Sequence, residues 1–323
     1  MISTLFEVES AYWSLYFAAA DLQVREEQLG RANRLVSVAE AQVRVGESAP
    51  IEITRARSSA ASQQVAILAA RSRITVLRHR LLRQLGVLEP STAERPLELA
   101  DSPPEALFVP TLAESLQIAY DRRPDCRQAE VAKAQAERTE AYAANQRLPS
   151  LQVFGGLRLA GLDETFHDSR QDIEHAEYQT WMVGARLEVP LGNRTLEGTY
   201  RAACLDRQRA AAERLAVREQ ATREVADAFE DLTTAAQQLA ATRQSRDLAG
   251  ELLQAEEKSF RLGRSSSLDV LAAQQALAAA EREEVRAKVT YATALSALHV
   301  VRGDFLEAKG LAAAVAAAAA LPE

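Results

Sequence analysis

The strongest constraint on the fold is an internal repeat without a gap. When Gly46 is placed over Gly263, residues 7–86 align with residues 224–303 at a constant offset of 217, and about 18 of the 80 positions are identical. The corresponding segments RVGESAPIEI at 44–53 and RLGRSSSLDV at 261–270 share the same pattern of Arg, Gly and Ser followed by an apolar residue, an acid and a β-branched residue. A repeat of this kind indicates one structural unit that is used twice, so the chain should contain two equivalent units.

Each unit is predicted to be a helical hairpin. In the first, apolar residues recur at helical spacing before the shared segment, at Val8, Ala11, Leu15, Ala18, Ala19 and Leu22.

The shared segment itself is predicted to be the turn between two helices. Gly46 is a typical C-cap that ends the first helix. Ser48 is suited to cap the next helix, and Pro50 is suited to its first turn. Glu52 and Asp269 would then lie near a helix N-terminus, where the helix dipole favours an acid. A purely structural role for both turns is consistent with these residues.

The second hairpin is unusually long. Residues 195–262 contain no proline and only two glycines, Gly198 and Gly250. A helix of some 68 residues spans about 100 Å, which is typical of coiled coils or extended tubes. Because a lone hairpin of this length would leave its apolar stripe in water, several copies should associate.

A different region separates the two hairpins. We divide the chain into a first hairpin at 1–86, a proline-rich linker at 87–110, and a second repeat at 111–323. Within the second repeat, the region 111–147 is predicted to be helical, with a break at DRRPD between about 120 and Pro124. The long hairpin covers 194–303, and a C-terminal tail follows at 304–323.

The hydrophobic period changes from 3.6 to 2 in two segments, at about 149–160 and 178–191. Leu151, Val153, Leu157 and Leu159 alternate with mostly polar residues in the first segment, and Trp181, Val183, Ala185, Leu187 and Val189 do so in the second. Strands of this length with one apolar face are typical of transmembrane barrels. An ordinary half-buried hairpin shows the same pattern.

Metal and redox sites are not favoured. His167 and His175 lie in the acidic loop 161–177, which is typical of a solvated loop. Cys126 and Cys204 have no CxxC spacing and are expected to be isolated thiols. His79 and His299 stand alone in helices and should be surface or packing residues.

Composition and motifs exclude several function classes. The net charge of −7 without a basic segment argues against a nucleic-acid partner. No apolar run is long enough for a membrane-spanning helix, and no signal peptide is recognisable. Phosphate-binding loops, zinc-protease motifs and nucleophile elbows are absent from the sequence, so we expect neither an enzyme nor a cofactor.

The order of these features resembles the TolC-like outer-membrane efflux protein family. The resemblance rests on two gap-free hairpins with R-x-G-x-S-x-x-[IL]-[DE]-[IV] turns, on RRPDCRQAEVAKAQAERTEAYAANQRLPSLQVFGG, on LEVPLGNR and on EVESAYWSLYFAAADL. It covers residues from about 5 to 305. It implies a mainly α fold of long antiparallel helical hairpins, an α-barrel protomer, with a small β-hairpin that contributes to a transmembrane β-barrel.

The resemblance also implies a function and partners. Such a chain would form a homotrimer in the outer membrane with a periplasmic extension, as a passive conduit for the export of small molecules. A periplasmic adaptor protein would link it to an inner-membrane pump of the RND, ABC or MFS type.

Site residues follow from the same resemblance. The adaptor-facing tips would be Arg44, Val45, Gly46 and Ser48 in the first turn, with Arg261, Leu262, Gly263 and Ser265 in the second. Glu52 and Asp269 would line the constriction, where a ring of like charges in a trimer raises the pKa of its acids. Ala272 stands where the family often has a further acid. Arg158, Arg186 and Glu188 would face the barrel lumen.

The chain also departs from the family pattern. The second hairpin has about 29 helical residues before Glu224, and by the repeat offset their counterparts would precede Met1. The family brings four strands per chain, and two are found here, so three chains would supply six strands against the twelve of the family barrel. We therefore expect an N-terminally truncated form, or a misplaced start, that has lost its signal peptide.

Two alternatives stay open at this point. The chain could be a soluble structural coiled-coil protein with a small β insert. A family member devoted to type I secretion or to metal export would have the same fold, and the residues do not separate these cargoes.

Overall fold

The computed structural model describes residues 2–46, 48–89, 97–104, 108–160 and 178–311. In these ranges, long helices dominate and one β-hairpin interrupts them. The elements are α1 (Ile2–Arg44), α2 (Ile51–Gln84), α3 (Leu112–Arg122), α4 (Pro124–Asn145), β1 (Ser150–Ala160), β2 (Tyr178–Glu188), α5 (Arg194–Arg261), α6 (Ser267–Arg302) and the short α7 (Phe305–Ala308). The fold class predicted from the sequence is confirmed.

The chain forms two compact units. One consists of Met1–Pro124 with Glu219–Glu323, and the other consists of Asp125–Arg218. In the first unit, α1 packs against both α2 and α6. Its core is built from small and branched apolar side chains, with Leu232, Leu239 and Leu298 fully buried beside Tyr291. Alanine at the remaining contacts lets the helices approach closely, which explains how an alanine-rich chain forms a core.

The duplication is visible in the structure. Of the identical pairs in the alignment, Leu15 with Leu232 and Leu81 with Leu298 are buried in both copies. The paired glycines adopt positive φ angles, 81° and 69° at Gly46 and Gly263, and 70° and 78° at Gly86 and Gly303. A left-handed residue just after a helix is the usual helix stop, and glycine adopts it at the lowest cost. The repeated glycines therefore mark two pairs of equivalent helix ends, those of α1 and α5 and those of α2 and α6.

Two tyrosines hold the linker segment on the first unit. The Tyr12 hydroxyl donates to the carbonyl of Asp101 at 3.0 Å and accepts from its amide at 2.9 Å. The Tyr291 hydroxyl likewise donates to the Phe108 carbonyl at 2.9 Å and accepts from its amide at 2.7 Å. Burial raises the pKa of the Tyr12 hydroxyl, so it remains a donor at neutral pH. Each linker residue thus has both backbone polar groups satisfied by one side chain.

The second unit combines a helix pair with the β-hairpin. Ion pairs between α4 and the first part of α5 join Glu130 to Arg214 and Glu140 to Arg207 at 2.6 Å, and just after α4 Arg147 pairs with Glu197 at 3.1 Å. The two strands pair antiparallel, from Ser150 opposite Glu188 to Ala160 opposite Tyr178.

Element ends differ in detail from the sequence-based ranges. β2 ends at Glu188 rather than at about 191, because Pro190 has no amide hydrogen to extend the ladder. The helical region 111–147 is two helices, separated at Arg123, whose extended backbone precedes Pro124. Among the described residues, no helix is both long and apolar enough to cross a membrane. The acidic loop 161–177 and most of the predicted tail lie outside the described residues.

Candidate functional site

The first turn joins α1 to α2, and its described residues lie on either side of position 47. The amide of Gly46 donates to the carbonyl of Val43 at 3.1 Å, and the amide of Glu52 donates to the carbonyl of Ala49 at 3.0 Å. Nothing lies within 4 Å of the place where a Cβ of Gly46 would stand. Among the described residues, the turn is therefore open at Gly46.

The second turn, between α5 and α6, is described throughout. The amide of Arg264 donates to the Ser259 carbonyl at 2.9 Å, and that of Gly263 donates to the Phe260 carbonyl at 3.0 Å, the two bonds of a Schellman motif. Ser266 and Asp269 then form a capping box, in which the Asp269 carboxylate accepts the Ser266 amide at 3.0 Å.

The prediction that Ser48 caps a helix is wrong. Its hydroxyl donates to Oε1 of Gln42 at 3.2 Å, the N-cap of α2 is Pro50, and no side chain caps that helix. Pro50 thus stands before the first helical turn rather than inside it. At the equivalent position, Ser265 donates to Glu256 at 2.7 Å while its neighbour Ser266 caps α6. In the second copy, the capping residue is thus one position beyond the repeated serine. The first copy has Ala49 at that position, which has no side chain that could cap a helix.

The structure brings the two turns together. The hydroxyl of Ser267, at the start of α6, donates to Oε2 of Glu52, at the start of α2. Arg55 holds the other carboxylate oxygen of Glu52 at 2.8 Å. The side-chain amide of Gln42 donates to the carbonyl of Phe260 at 3.3 Å. An open cleft of about 540 Å³ between the turns is lined by residues of both, Ser48 and Ser265 among them.

The two constriction candidates have different surroundings. Hydrogen bonds from the hydroxyl and the amide of Ser266 lower the pKa of Asp269 below its usual value. This direction, set within one chain, is opposite to the rise expected for a ring of like charges. The Glu52 carboxylate is mostly covered, with 15% of the side chain exposed. Glu52 joins the two turns, whereas Asp269 stabilises the N-terminus of α6.

The tips expose the selected apolar residues Val45 and Leu262, and also Ile51 and Leu268, which the sequence did not single out. Val45 and Leu262 are 69% and 61% exposed, and Ile51 and Leu268 are 51% and 58% exposed. Each pair is related by the offset of 217, so each turn carries one exposed apolar side chain on either side of its apex. We name Val45, Ile51, Leu262 and Leu268 the tip apolar set. The signal for Ile51 and Leu268 was the [IL] position of the repeated turn, which indicated only a helix start.

The β-hairpin separates its side chains as the alternation predicted. Gln152 opposite Arg186, Arg158 opposite Thr180, and Ser150 opposite Glu188 share one face. This face therefore carries all three lumen candidates.

The other face of the β-hairpin carries the apolar pairs, such as Leu157 opposite Trp181 and Leu151 opposite Leu187. Its side chains are exposed, up to 83% at Val183.

The aromatic residue Phe154 departs from the separation of polar and apolar faces. Phe154 lies on the polar face opposite Gly184, and a Cβ at Gly184 would stand 2.5 Å from its ring. A side chain at Gly184 would therefore displace the Phe154 ring from its contact with the backbone of β2.

Metal-binding and thiol chemistry find no support within the described ranges. These residues contain no cluster of three or more His, Cys, Asp or Glu side chains that could hold a metal ion. Within these ranges neither Cys126 nor Cys204 forms a disulfide, and the Cys204 thiol donates to Glu140 at 3.3 Å. His167 and His175 lie outside the described residues.

Comparison with known proteins identifies the type of fold. The family model described as Outer membrane efflux protein matches residues 115–304, more than half of the chain. The comparison with curated proteins gives no match.

Several solved structures share the architecture. The outer membrane protein VceC from Vibrio cholerae is 20% identical, with 94% of this chain and 70% of VceC covered at a TM-score of 0.58. The open state of the MtrE outer membrane channel of Neisseria gonorrhoeae is 20% identical, with 94% of this chain and 67% of MtrE covered at a TM-score of 0.59. The outer-membrane channel OprN is 21% identical, with 94% of this chain and 66% of OprN covered at a TM-score of 0.60. The chain thus spans about two thirds of the length of these proteins.

Proposed function

Because the chain belongs to the outer membrane efflux protein family, we propose that it is the outer-membrane channel component of a tripartite efflux or secretion system. In this role it is a passive conduit for the export of small molecules, with no catalytic activity and no cofactor. The observation that carries the proposal is the family match, which runs from α3 through the β-hairpin to the end of α6.

The β-hairpin supports a location in the outer membrane. The side chains of Leu151, Val153, Trp181 and Val183 form an exposed apolar face, and Arg158 and Arg186 lie on the other face. In a barrel strand, the apolar face contacts lipid and the polar face lines water. The helical hairpins would then extend into the periplasm.

Exposed apolar side chains on the helices support a homotrimer. Val65, Leu68 and Val76 on α2 remain exposed at near-helical spacing, as do Leu248 and Leu252 on α5. Such stripes on otherwise polar helices are typical of surfaces that pack against another helix. Three copies would bury them and close a tube.

The paired turns support contact with a periplasmic adaptor protein, which would connect the channel to an inner-membrane pump. Exposed apolar residues clustered at one end of a helix bundle are typical of a protein-binding surface. The tip apolar set supplies them in both turns, next to the predicted contact residues Arg44, Gly46, Arg261 and Gly263. Glu52 and Asp269 would lie just inside this surface, at the constriction.

Fractionation and reconstitution test the proposal. Full-length protein expressed with an export signal should sediment with outer membranes, require detergent for release, and have the mass of three chains in detergent. Purified protein should then conduct ions across planar bilayers. Protein that stays in the aqueous fraction would overturn the channel assignment, and a monomer that partitions into membranes would overturn the trimer alone.

A further inference from the structure

A cavity of about 280 Å³ between α1, α5 and α6 has no part in the proposed function. One stripe of each helix lines it, with Arg31, Arg34, Leu35 and Val38 on α1 at the spacing of a single helix face. Its volume is near the lower end of the range for small-molecule sites. The three helices belong to both repeats, so an occupant would contact both hairpins.

The cavity combines apolar walls with an excess of positive charge. Phe260 and Val270 are buried at its wall. Arg34 and Arg261 line it with a single acid, Glu257, and a third lining arginine, Arg31, is already paired with Glu281. This composition suits a molecule with an apolar body and one negative group.

Several polar groups at the cavity have free capacity for a ligand. Both terminal nitrogens of Arg31 bind Glu281, at 3.2 and 2.7 Å, but its buried Nε has no hydrogen-bond partner. Within the described part of the chain, the Arg34 guanidinium forms no ion pair, and neither does that of Arg261. Gln274, only 3% exposed, lines the same space. A buried donor without a partner is costly, and an acceptor on a ligand removes that cost.

We propose that this cavity binds a small aromatic carboxylate. The carboxylate pairs with Arg34 and Arg261, because a planar guanidinium matches a carboxylate with two parallel hydrogen bonds. The ring lies against Phe260 and Val38. The bound molecule ties α1 of the first repeat to α5 and α6 of the second and stabilises their present arrangement.

Binding of 6-fluoro-2-naphthoate to the detergent-solubilised full chain tests the proposal by fluorine NMR, with no need for conduction. The fluorine resonance should broaden on addition of protein, and the melting temperature should rise with ligand concentration. The uncharged 6-fluoro-2-naphthamide, which has the same shape, should bind about tenfold or more weakly. Equal binding of the two compounds would overturn the proposal.

Matched variants locate the site. Arg34→Gln and Arg261→Gln should each weaken binding by about tenfold. Arg71→Gln removes the same charge on α2 outside the cavity and should leave binding unchanged. Circular dichroism before titration shows that each variant is folded. Unchanged affinity in the double variant Arg34→Gln with Arg261→Gln, or equal losses with Arg71→Gln, would place the ligand elsewhere and overturn the assignment.

Discussion

The hydroxyl of Ser267 donates a hydrogen bond to the carboxylate of Glu52, across 215 residues of sequence. Ser267 is fully buried, and both residues stand in the first turn of their helices. Through this bond, the start of α2 in the first hairpin is held to the start of α6 in the second.

Replacing Ser267 by alanine should therefore destabilise the paired turns. A hydrogen bond to a charged acceptor with little solvent contact contributes about 1–3 kcal/mol. Urea unfolding followed by circular dichroism should show a loss of that size for Ser267→Ala. Ser37→Ala is the control, because the exposed Ser37 hydroxyl binds only its own helix, at the Asn33 carbonyl. Equal midpoints for the two variants would contradict a role for the Ser267 bond.

Acid should remove the contribution of Asp269 to stability. Since Ser266 lowers the pKa of Asp269 in the folded chain, this carboxylate stabilises the fold above its unfolded pKa of about 3.9. The contribution is lost as the pH falls through the lower, folded pKa. The difference in unfolding free energy between wild type and Asp269→Asn should thus be present at pH 6 and fade below about pH 4. A difference that does not change with pH would contradict this linkage.

The positive-φ glycines should differ in their tolerance of a side chain. At Gly263, alanine meets open space and costs only the left-handed backbone, about 1 kcal/mol. At Gly303, the added Cβ would also stand 3.3 Å from backbone atoms of Arg122 and Arg123, so Gly303→Ala should lower the unfolding free energy further.

Gly198→Ala serves as the reference of opposite sign in the same experiment. It places the methyl group in open space inside α5, at a helical position, and should raise stability by about 0.5–1 kcal/mol. An equal loss at Gly263 and Gly303 would show that the close approach of Gly303 to Arg122 does not matter.

The tip apolar set should determine adaptor binding without affecting the fold. Val45→Ser with Leu262→Ser should reduce the yield of cross-links between channel and adaptor severalfold, because apolar contacts at an interface are lost. Val131→Ser with Leu215→Ser, which replaces side chains that are 66% and 58% exposed on α4 and α5, is the control. Undiminished cross-linking in the tip variant would remove these residues from the contact.

The two faces of the β-hairpin should respond differently to charge. Val183→Lys places a cation on the apolar face, where a lipid-facing lysine costs up to about 2–4 kcal/mol. Thr180→Lys places the same charge on the face of Arg158 and should be tolerated. The yield of folded protein in liposomes measures both. Similar yields would indicate that neither face contacts lipid.

The local sequence pattern was sufficient to predict the main helices and strands that the structure describes. The gap-free offset related Gly46 to Gly263, and the structure gives both glycines the same left-handed backbone. Alternation assigned Val183 and Arg186 to opposite faces, as the register does. These features follow from neighbours in sequence, so periodicity and helix-stop residues are enough to predict them.

The details of the turns depended on contacts that sequence does not show. Ser48 was predicted to cap a helix, but its hydroxyl donates a hydrogen bond to the side chain of Gln42, six residues earlier. The bond from Ser267 to Glu52 joins two hairpins and leaves no periodic signal. The exposure of Ile51 and Leu268 could not be predicted, because an apolar residue at a helix start is equally suited to a core.

The tyrosines that hold the linker impose an unusual rule on substitution. Tyr12 and Tyr291 bind only backbone atoms of Asp101 and Phe108, so the side chains at these two linker positions are free to change. Each hydroxyl recognises one peptide unit rather than a residue type, so substitutions that keep the backbone amide at these positions leave both attachments of the linker intact.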